Sequence, residues 1–307
     1  MTVEGTDIIL DSAGASFFDG QLNLVLLCNL AIAIAIFTSI RWLSGVVSHT
    51  NPNKELLKKD NPAFGISLSA VVLAVTIVLT GAIYGDPIYA LEDSVISVGL
   101  YGIIGLVLLT VARIIFEKVA LPDISIRDEI IKGNISAAIA DAGNVIAAAI
   151  IIRAMMVWVD ANTIEGIAVV LIGFSISQAI LTATTILRTR KFAKKLGKTY
   201  QEHFTEGNTS AALRFAGRKI GTAFAITAAA NVLLFEEIDI KMLVLYWSLL
   251  SVIMILALSI LAFIANKIIL FHVDTDGEVI RQHNIAIGII QCVIYISLGM
   301  LLSELLA

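Results

Sequence analysis

Long uncharged apolar runs dominate the hydrophobic pattern of the chain. Each is close to the about 20 apolar residues that a helix needs to cross the hydrocarbon core of a bilayer. Six of these runs contain no Lys, Arg, Asp or Glu: 21–40, 61–85, 94–112, 166–187, 242–266 and 284–303. Two further runs, 133–159 and 208–235, are as long but include ionisable residues. The pattern predicts an all-α polytopic membrane protein with eight transmembrane helices.

Composition supports this class. Hydrophobic residues make up 58% of the 307 residues and charged residues only 15%, whereas a soluble domain has about 25% charged residues. Disorder is excluded, because it requires low hydrophobicity and high charge. The two cysteines form no disulfide framework and no metal-ligand spacing is present, so we expect no cofactor and no metal. Since no nucleophile–base pair or phosphate-binding loop is found, we also expect that the protein is not an enzyme.

The distribution of charge predicts how the chain is oriented. Of the 21 basic residues, 19 lie in or next to the connections after the first, third, fifth and seventh spans. Basic residues are enriched in cytoplasmic loops, which places both termini outside the cytoplasm. The segment 1–17 is acidic and is expected to face outward. The basic run 188–198 is expected to contact anionic lipid headgroups.

A repeat with a period near 75 residues runs through the chain. The second span of each pair begins at an asparagine, and the four are Asn61, Asn134, Asn208 and Asn284. Each repeated unit is therefore a hairpin of two spans, which predicts four parallel repeats about an axis normal to the membrane. An alternative interpretation is that each Asn only caps the helix it begins. The expected division is two four-helix copies, 18–160 and 161–307.

Helix composition predicts which spans lie inside. The fourth and sixth spans are rich in Ala, and small residues allow membrane helices to pack closely. The seventh, 243–264, consists mostly of bulky aliphatic residues. We expect the even-numbered spans inside and most odd-numbered spans outside.

Three stretches then carry a resemblance to a known family. They are DNPAFGISL at 60–68, EIIKGNISAAIADAGN at 129–144 and IIRA at 151–154. They resemble domain-of-unknown-function family 350, the YjfL-like inner-membrane proteins, whose unit has four spans and would occur here twice, over 18–159 and 163–306. The second copy departs from the pattern, with Arg214, Arg218 and Lys219 in its first small-residue helix and Gln291 at the position of Asp141. The resemblance implies a bacterial inner-membrane location and an association with membrane stress and polyamine-related genes, but no established activity.

Charged side chains inside spans are costly and are often functional. Asp141 and Asn144 lie seven and ten residues beyond the Asn of the fourth span, and Arg214 and Arg218 lie six and ten residues beyond that of the sixth. Their similar depths predict an intramembrane polar network, in which Asp141 and Arg218 pair or line a path for an ion, a proton or an anion. The alternative is structural pairing, with the basic side chains extending toward the interface along their alkyl stems.

The best interpretation of function at this stage is a channel-like or transporter-like protein with an intramembrane charged site. The alternative is a membrane scaffold that transports nothing and recruits cytoplasmic membrane-stress or remodelling partners. The expected partners are the lipid bilayer, anionic headgroups and cytoplasmic membrane-stress proteins, with a homo-oligomer as a further possible assembly. No nucleic acid partner is expected.

Overall fold

The computed structural model describes residues 20–48, 51–84, 91–158, 164–232 and 240–307. All regular secondary structure in these ranges is helical. The acidic segment 1–17 and most of the connections predicted to face outward lie outside the described residues. Eight long helices, labelled α1 to α8, are found within the described ranges: Gly20–Ser48, Pro62–Ala82, Leu91–Ile115, Ile135–Trp158, Ile164–Leu196, Thr209–Asn231, Ile240–Ile269 and Ile285–Glu304.

A short helical segment precedes each even-numbered helix. The four segments are Lys54–Lys58, Ile126–Ile131, Tyr200–Thr205 and Gly277–Arg281. A fifth segment, Phe116–Ala120, continues α3. Each even-numbered helix then begins directly after one of the four repeated asparagines, whose side chain satisfies backbone N–H groups that the first turn of a helix leaves free.

The even-numbered helices lie side by side in chain order, α2 against α4, α4 against α6, and α6 against α8. Small residues set this spacing. Gly143 of α4 packs directly on Ala216 of α6, and Gly217 of α6 packs on the backbone of Cys292 in α8, so neither site has room for a side chain. Such contacts allow close approach of membrane helices, where van der Waals packing drives association.

The odd-numbered helices pack over this row. Helices α1 and α3 contact each other and α2, while α5 and α7 contact each other and α6. Of the apolar span in α4, 78% is buried, against 17% in α7, which agrees with the expected inner and outer positions. The expectation fails for α8, an even-numbered helix of which only 22% is buried. Both α2 and α8 end the row, but α2 is covered by the two outer helices α1 and α3, whereas in the described residues α8 has substantial contact with one outer helix, α7.

Six of the long helices have a stretch long and apolar enough to cross a membrane, located in α2, α3, α4, α5, α7 and α8. Helix α1 contributes a shorter apolar stretch, Asn23–Ser39. Helix α6 is not among them, since it carries Arg214, Arg218 and Lys219. The protein is therefore a helical, multi-pass membrane protein.

Candidate intramembrane charge site

Asp141, on α4, pairs with a residue that sequence reasoning overlooked. Its side chain is 2% exposed, and it accepts hydrogen bonds from Nε and Nη2 of Arg113 on α3, the former at 3.0 Å. Ser67 of α2 donates a further bond of 2.7 Å from its hydroxyl to the carboxylate. The predicted partner was Arg218, but no ion pair joins Asp141 to Arg214 or Arg218 in the described part of the chain. Arg113 directly follows the uncharged run 94–112, so the sequence pattern did not place it inside a span. The contact between α3 and α4 brings it to the Asp141 carboxylate.

The second half of the chain replaces this ion pair with neutral groups. Gln291 of α8 stands at the position of Asp141, seven residues beyond its capping Asn. Its amide donates a hydrogen bond of 3.1 Å to the side-chain oxygen of Asn266 on α7. A small-residue helix is thus tied to an outer helix by a polar pair in both halves, with charge in the first and without it in the second.

Asn144 is completely buried in α4, and neither polar atom of its amide has a hydrogen-bond partner among the described residues. Leaving a buried polar group unpaired costs about 1–3 kcal/mol. Asn144 therefore does not join Asp141 to the basic residues of α6, although it lies one turn from Asp141. The expected network of four residues is divided between two places.

The second place is a group of basic side chains on α5 and α6, called here the basic cluster: Arg188, Arg214, Arg218 and Lys219. Arg214 is 1% exposed. Its guanidinium forms an ion pair of 2.7 Å with Asp276, in the connection between α7 and α8, and lies 5.4 Å from the ring centre of Phe192. The Arg214 side chain extends away from its helix along its alkyl stem, as the alternative sequence interpretation expects, but its guanidinium pairs with a carboxylate.

Arg218 and Arg188 contact hydroxyl groups, a backbone oxygen and an aromatic ring. Arg218 donates to the Tyr200 hydroxyl at 3.3 Å, and its guanidinium carbon lies 5.3 Å from the ring centre of Tyr295. Arg188 donates to Thr222 at 2.6 Å and to the carbonyl oxygen of Arg218 at 3.3 Å. Nε of Arg218 is buried and has no hydrogen-bond partner in the part of the chain that the structure describes. The sequence interpretation had assigned Arg188 to a basic loop, but the length of α5 places it against α6.

Lys219 lies in a largely aromatic environment. It is 3% exposed, and its ammonium group lies 4.2 Å from the ring centre of Phe116 and 5.8 Å from that of Phe215. Its hydrogen bond to Thr185 of α5 is long, at 3.4 Å. Cation–π contacts of this kind stabilise a buried ammonium group, but they bring no negative charge.

Negative charge is scarce around the basic cluster. Asp276 is the only carboxylate that pairs with a member of the cluster in the described residues, and it is shared with Lys195 at 2.5 Å. Burial raises the pKa of Asp276, but hydrogen bonds from Lys195 and Arg214 outweigh burial and hold the pKa below its usual value. Burial likewise raises the pKa of Tyr200. The charges of Arg214 and Arg218 have the larger, opposite effect, so the pKa of Tyr200 lies below its usual value. Both shifts indicate a positive potential.

The four repeated asparagines serve two roles. Each side-chain oxygen accepts backbone N–H groups of the helix it begins, at Phe64, Ser136 and Ala137, Ala211, and Ala286 and Ile287. In addition, the side-chain amides of the first three asparagines each donate a hydrogen bond to a backbone oxygen in the next short segment. Asn61 donates to Ile130, Asn134 to Phe204 and Asn208 to Val279. The amide of Asn284 bonds Glu278 of its own segment.

A preceding acid supports three of the four asparagines. Glu55, Glu129 and Glu278 accept hydrogen bonds from Asn61, Asn134 and Asn284. Glu202 departs from this pattern, because it completes a capping box with Thr199. The asparagines thus belong to the framework of the fold, and the basic cluster is the place that lacks charge compensation.

In the described residues, fold and site together define a helical membrane protein with an Asp141–Arg113 ion pair and a poorly compensated basic cluster. A family model matches the chain twice, over residues 16–156 and 162–306, and its description is Domain of Unknown Function (DUF350). The chain belongs to this family, and it carries two tandem copies of the family's unit.

A curated relative gives the same class. Over 103 residues the chain is 29% identical to a UPF0719 transmembrane protein of Aquifex aeolicus (strain VF5). The matched stretch covers 34% of this chain and 38% of that protein. The chain thus spans well under half the length of this relative. No solved structure matches the chain significantly.

Proposed function

We propose that the protein is a channel-like or transporter-like protein of the bacterial inner membrane, and that its basic cluster binds an anion that crosses the membrane. The proposal rests on one observation: the four basic side chains of the cluster are buried or half-buried, and the one carboxylate that pairs with any of them in the described residues, Asp276, also pairs with Lys195. Unpaired charges are strongly disfavoured in a low-dielectric interior, so a bound anion would supply the missing charge. The proposal assigns no catalysis.

Membrane crossing by all eight long helices is part of this proposal. Helix α6 runs beside α8 over its whole length, from the bond between Ser210 and the Asn284 oxygen to the contact between Thr227 and Ser303. A helix in register with an apolar span crosses the membrane at the same depth. The basic cluster then lies within the membrane, in a chain of four parallel hairpins with both termini outside the cytoplasm.

The test is anion flux in proteoliposomes. We expect chloride or phosphate to be released above the level of empty liposomes, with no matching release of potassium. Arg218→Gln should reduce the flux by about tenfold or more, because a hydrogen bond to a charged group contributes about 1.5–3 kcal/mol.

The matched control is Arg190→Gln. Arg190 lies on the same helix as Arg188 but is exposed, so its substitution removes the same charge without altering the basic cluster. Equal loss of flux in both variants would indicate an effect of overall charge. Flux indistinguishable from empty liposomes for chloride, phosphate, potassium and protons would reject transport and favour the scaffold for cytoplasmic membrane-stress partners.

A further inference from the structure

The guanidinium group of an arginine can donate two parallel N–H groups to two oxygen atoms of one anion. Arg113 uses such a pair of donors on the Asp141 carboxylate, from Nε and from Nη2, the former at 3.0 Å. The edge of the guanidinium that carries these two donors is called here the Nε edge. The Arg113–Asp141 pair therefore provides an example of an occupied Nε edge within this protein.

Two arginines of the basic cluster have an Nε edge without this compensation. Arg214 donates to Asp276 from Nη1 at 2.7 Å, and Arg218 donates to the Tyr200 hydroxyl from Nη1 at 3.3 Å. Nε of each arginine is buried and has no hydrogen-bond partner among the described residues. Since a buried donor without an acceptor is destabilising, both side chains are suited to a ligand that brings acceptor oxygens.

These two arginines lie on one face of α6. Arg214 and Arg218 are four residues apart on this helix, and residues at that spacing are neighbours on the helix surface. A third guanidinium group, that of Arg188, reaches the same face from α5, because it donates to Thr222 and to the carbonyl oxygen of Arg218. An anion on this face therefore has three guanidinium groups nearby.

The Tyr200 hydroxyl adds a neutral donor at this place. Its ring stacks on Phe192, with the ring centres 3.9 Å apart, and packs edge-on against Phe215 at 5.2 Å. The hydroxyl accepts a hydrogen bond from Arg218, and its own proton has no acceptor in the part of the chain that the structure describes. Burial raises the pKa of Tyr200, but the charges of Arg214 and Arg218 outweigh burial and lower it. The hydroxyl is therefore placed to donate to an anion that both arginines bind.

The charge balance favours an anion with more than one negative charge. Arg188 and Arg218 donate to neutral oxygens in the described residues. Lys219 has aromatic rings and one hydroxyl around its ammonium group. Asp276 pairs with Arg214, but its charge is shared with a second basic residue. A monovalent anion would leave more of this positive charge uncompensated than a divalent anion, and uncompensated charge is disfavoured in a low-dielectric interior.

The number of Nε edges distinguishes between kinds of anion. A carboxylate offers one pair of oxygens, and the phosphodiester of a lipid headgroup likewise leaves one pair free of ester bonds. A tetrahedral oxyanion such as sulfate or phosphate has two opposite pairs of oxygens and can meet two guanidinium edges at once. A halide is a single centre and gains nothing from a planar, bidentate donor.

We propose that the basic cluster is a binding site for a free divalent tetrahedral oxyanion, of the sulfate or phosphate class. The Nε edges of Arg214 and Arg218 and the Tyr200 hydroxyl hold the oxygens, while Arg188 and Lys219 add positive charge. The inference rests on the proposed function, because it names the class of anion that the cluster carries. Selection against halides then follows from the direction of the donors and not from charge alone.

Competition binding to the purified full chain in detergent tests the class of anion. Radiolabelled sulfate is the probe, and phosphate, chloride and a short-chain phosphatidylglycerol are the competitors, all at constant ionic strength. We expect phosphate to displace sulfate at a similar concentration. Chloride and the lipid should require about tenfold more or higher, because neither can occupy two bidentate edges.

A conservative variant separates a directional site from a general positive potential. Arg218→Lys keeps the charge but removes the planar guanidinium, and it breaks no ion pair with a carboxylate in the described residues. We expect the affinity for sulfate to fall about tenfold or more, while helix content and melting temperature stay at the parent values. Arg190→Lys is the matched control, since Arg190 is an exposed arginine of α5, and it should bind sulfate as the parent does.

Three results would overturn the proposal. Displacement of sulfate by chloride at the concentration needed for phosphate would indicate a halide site, and equal displacement by phosphatidylglycerol would indicate a lipid site. Unchanged sulfate affinity in folded Arg218→Lys would reject the directional donors. If this variant does not fold, the competition in the parent protein decides.

Binding and flux together distinguish this inference from the proposed function. Chloride flux without binding of sulfate or phosphate would reject the oxyanion class and leave anion transport standing. Selective binding of sulfate without flux of any anion would reject transport and leave the site standing. Binding of none of the tested anions would reject both.

Discussion

Individual charged residues in this chain differ in how fully they are compensated. Asp141 receives bonds from both Arg113 and Ser67, so its charge is satisfied within the protein. Arg218 has a phenol hydroxyl and an aromatic ring as partners, and Lys219 has aromatic rings and a distant hydroxyl. The first site therefore has the properties of a structural pair, whereas Arg218 and Lys219 pair with no carboxylate among the described residues.

The Asp141–Arg113 pair leads to a prediction at this scale. Asp141→Asn should lower the stability of the protein by about 3 kcal/mol, the lower end of the range for a broken buried pair, since the Arg113 side chain is 39% exposed. Arg113→Gln in the same molecule should restore part of this loss, because no charge is then left unpaired. Thermal unfolding in detergent measures the effect. Arg218→Gln is the control second substitution, and rescue by it instead of Arg113→Gln would contradict the observed pairing.

At the scale of elements, direct contacts between helix backbones determine how the row is built. Gly143, Gly217, Gly221 and Gly299 each face backbone or Cβ atoms of a neighbouring helix at distances that exclude a side chain. The asparagine bonds add a second connection at one end of the helices. The row is therefore defined both by close packing and by directional bonds.

The effect of this packing can be measured with two glycine variants. Gly217→Leu should destabilise the protein by more than the about 1–3 kcal/mol typical of an overpacked core, because the backbone of Cys292 cannot move aside as a side chain can. Gly99→Leu on α3 is the matched control, since an added Cβ there meets no atom of the described residues within 4 Å. Melting temperatures in detergent compare the two. A similar loss in both variants would show that general loss of glycine, and not the α6–α8 contact, is responsible.

At the scale of the whole molecule, the proposed topology places the basic cluster within the membrane and the four short segments on the cytoplasmic side. Cysteines introduced at Thr2 and at the exposed Glu304 should react with a membrane-impermeant reagent added outside the cells. A cysteine at Lys195 should react only after the membrane is opened, because basic connections remain in the cytoplasm. Labelling of Lys195→Cys from outside would reverse the orientation and with it the side from which an anion reaches the cluster.

The class of the protein was largely determined by the sequence. Uncharged runs of sufficient length predict spanning helices because a bilayer core offers no hydrogen-bond partners to other backbone structures. The asparagine repeat likewise indicated where the even-numbered helices begin, because capping depends on neighbouring backbone atoms. Ala-rich composition indicated the buried positions of α4 and α6, since small side chains favour close helix packing.

Only the tertiary structure decided which charges meet. Arg113 and Asp141 are separated by 28 residues and lie on neighbouring helices, and Arg214 reaches Asp276, 62 residues away. Depth in a span, which is all that the sequence provided, fixes one coordinate of a side chain and leaves its direction around the helix undetermined. The same reason explains why α8 was expected inside. It was assigned there as an even-numbered helix, although it contains a single Ala, and its burial depends on which helices pack against it.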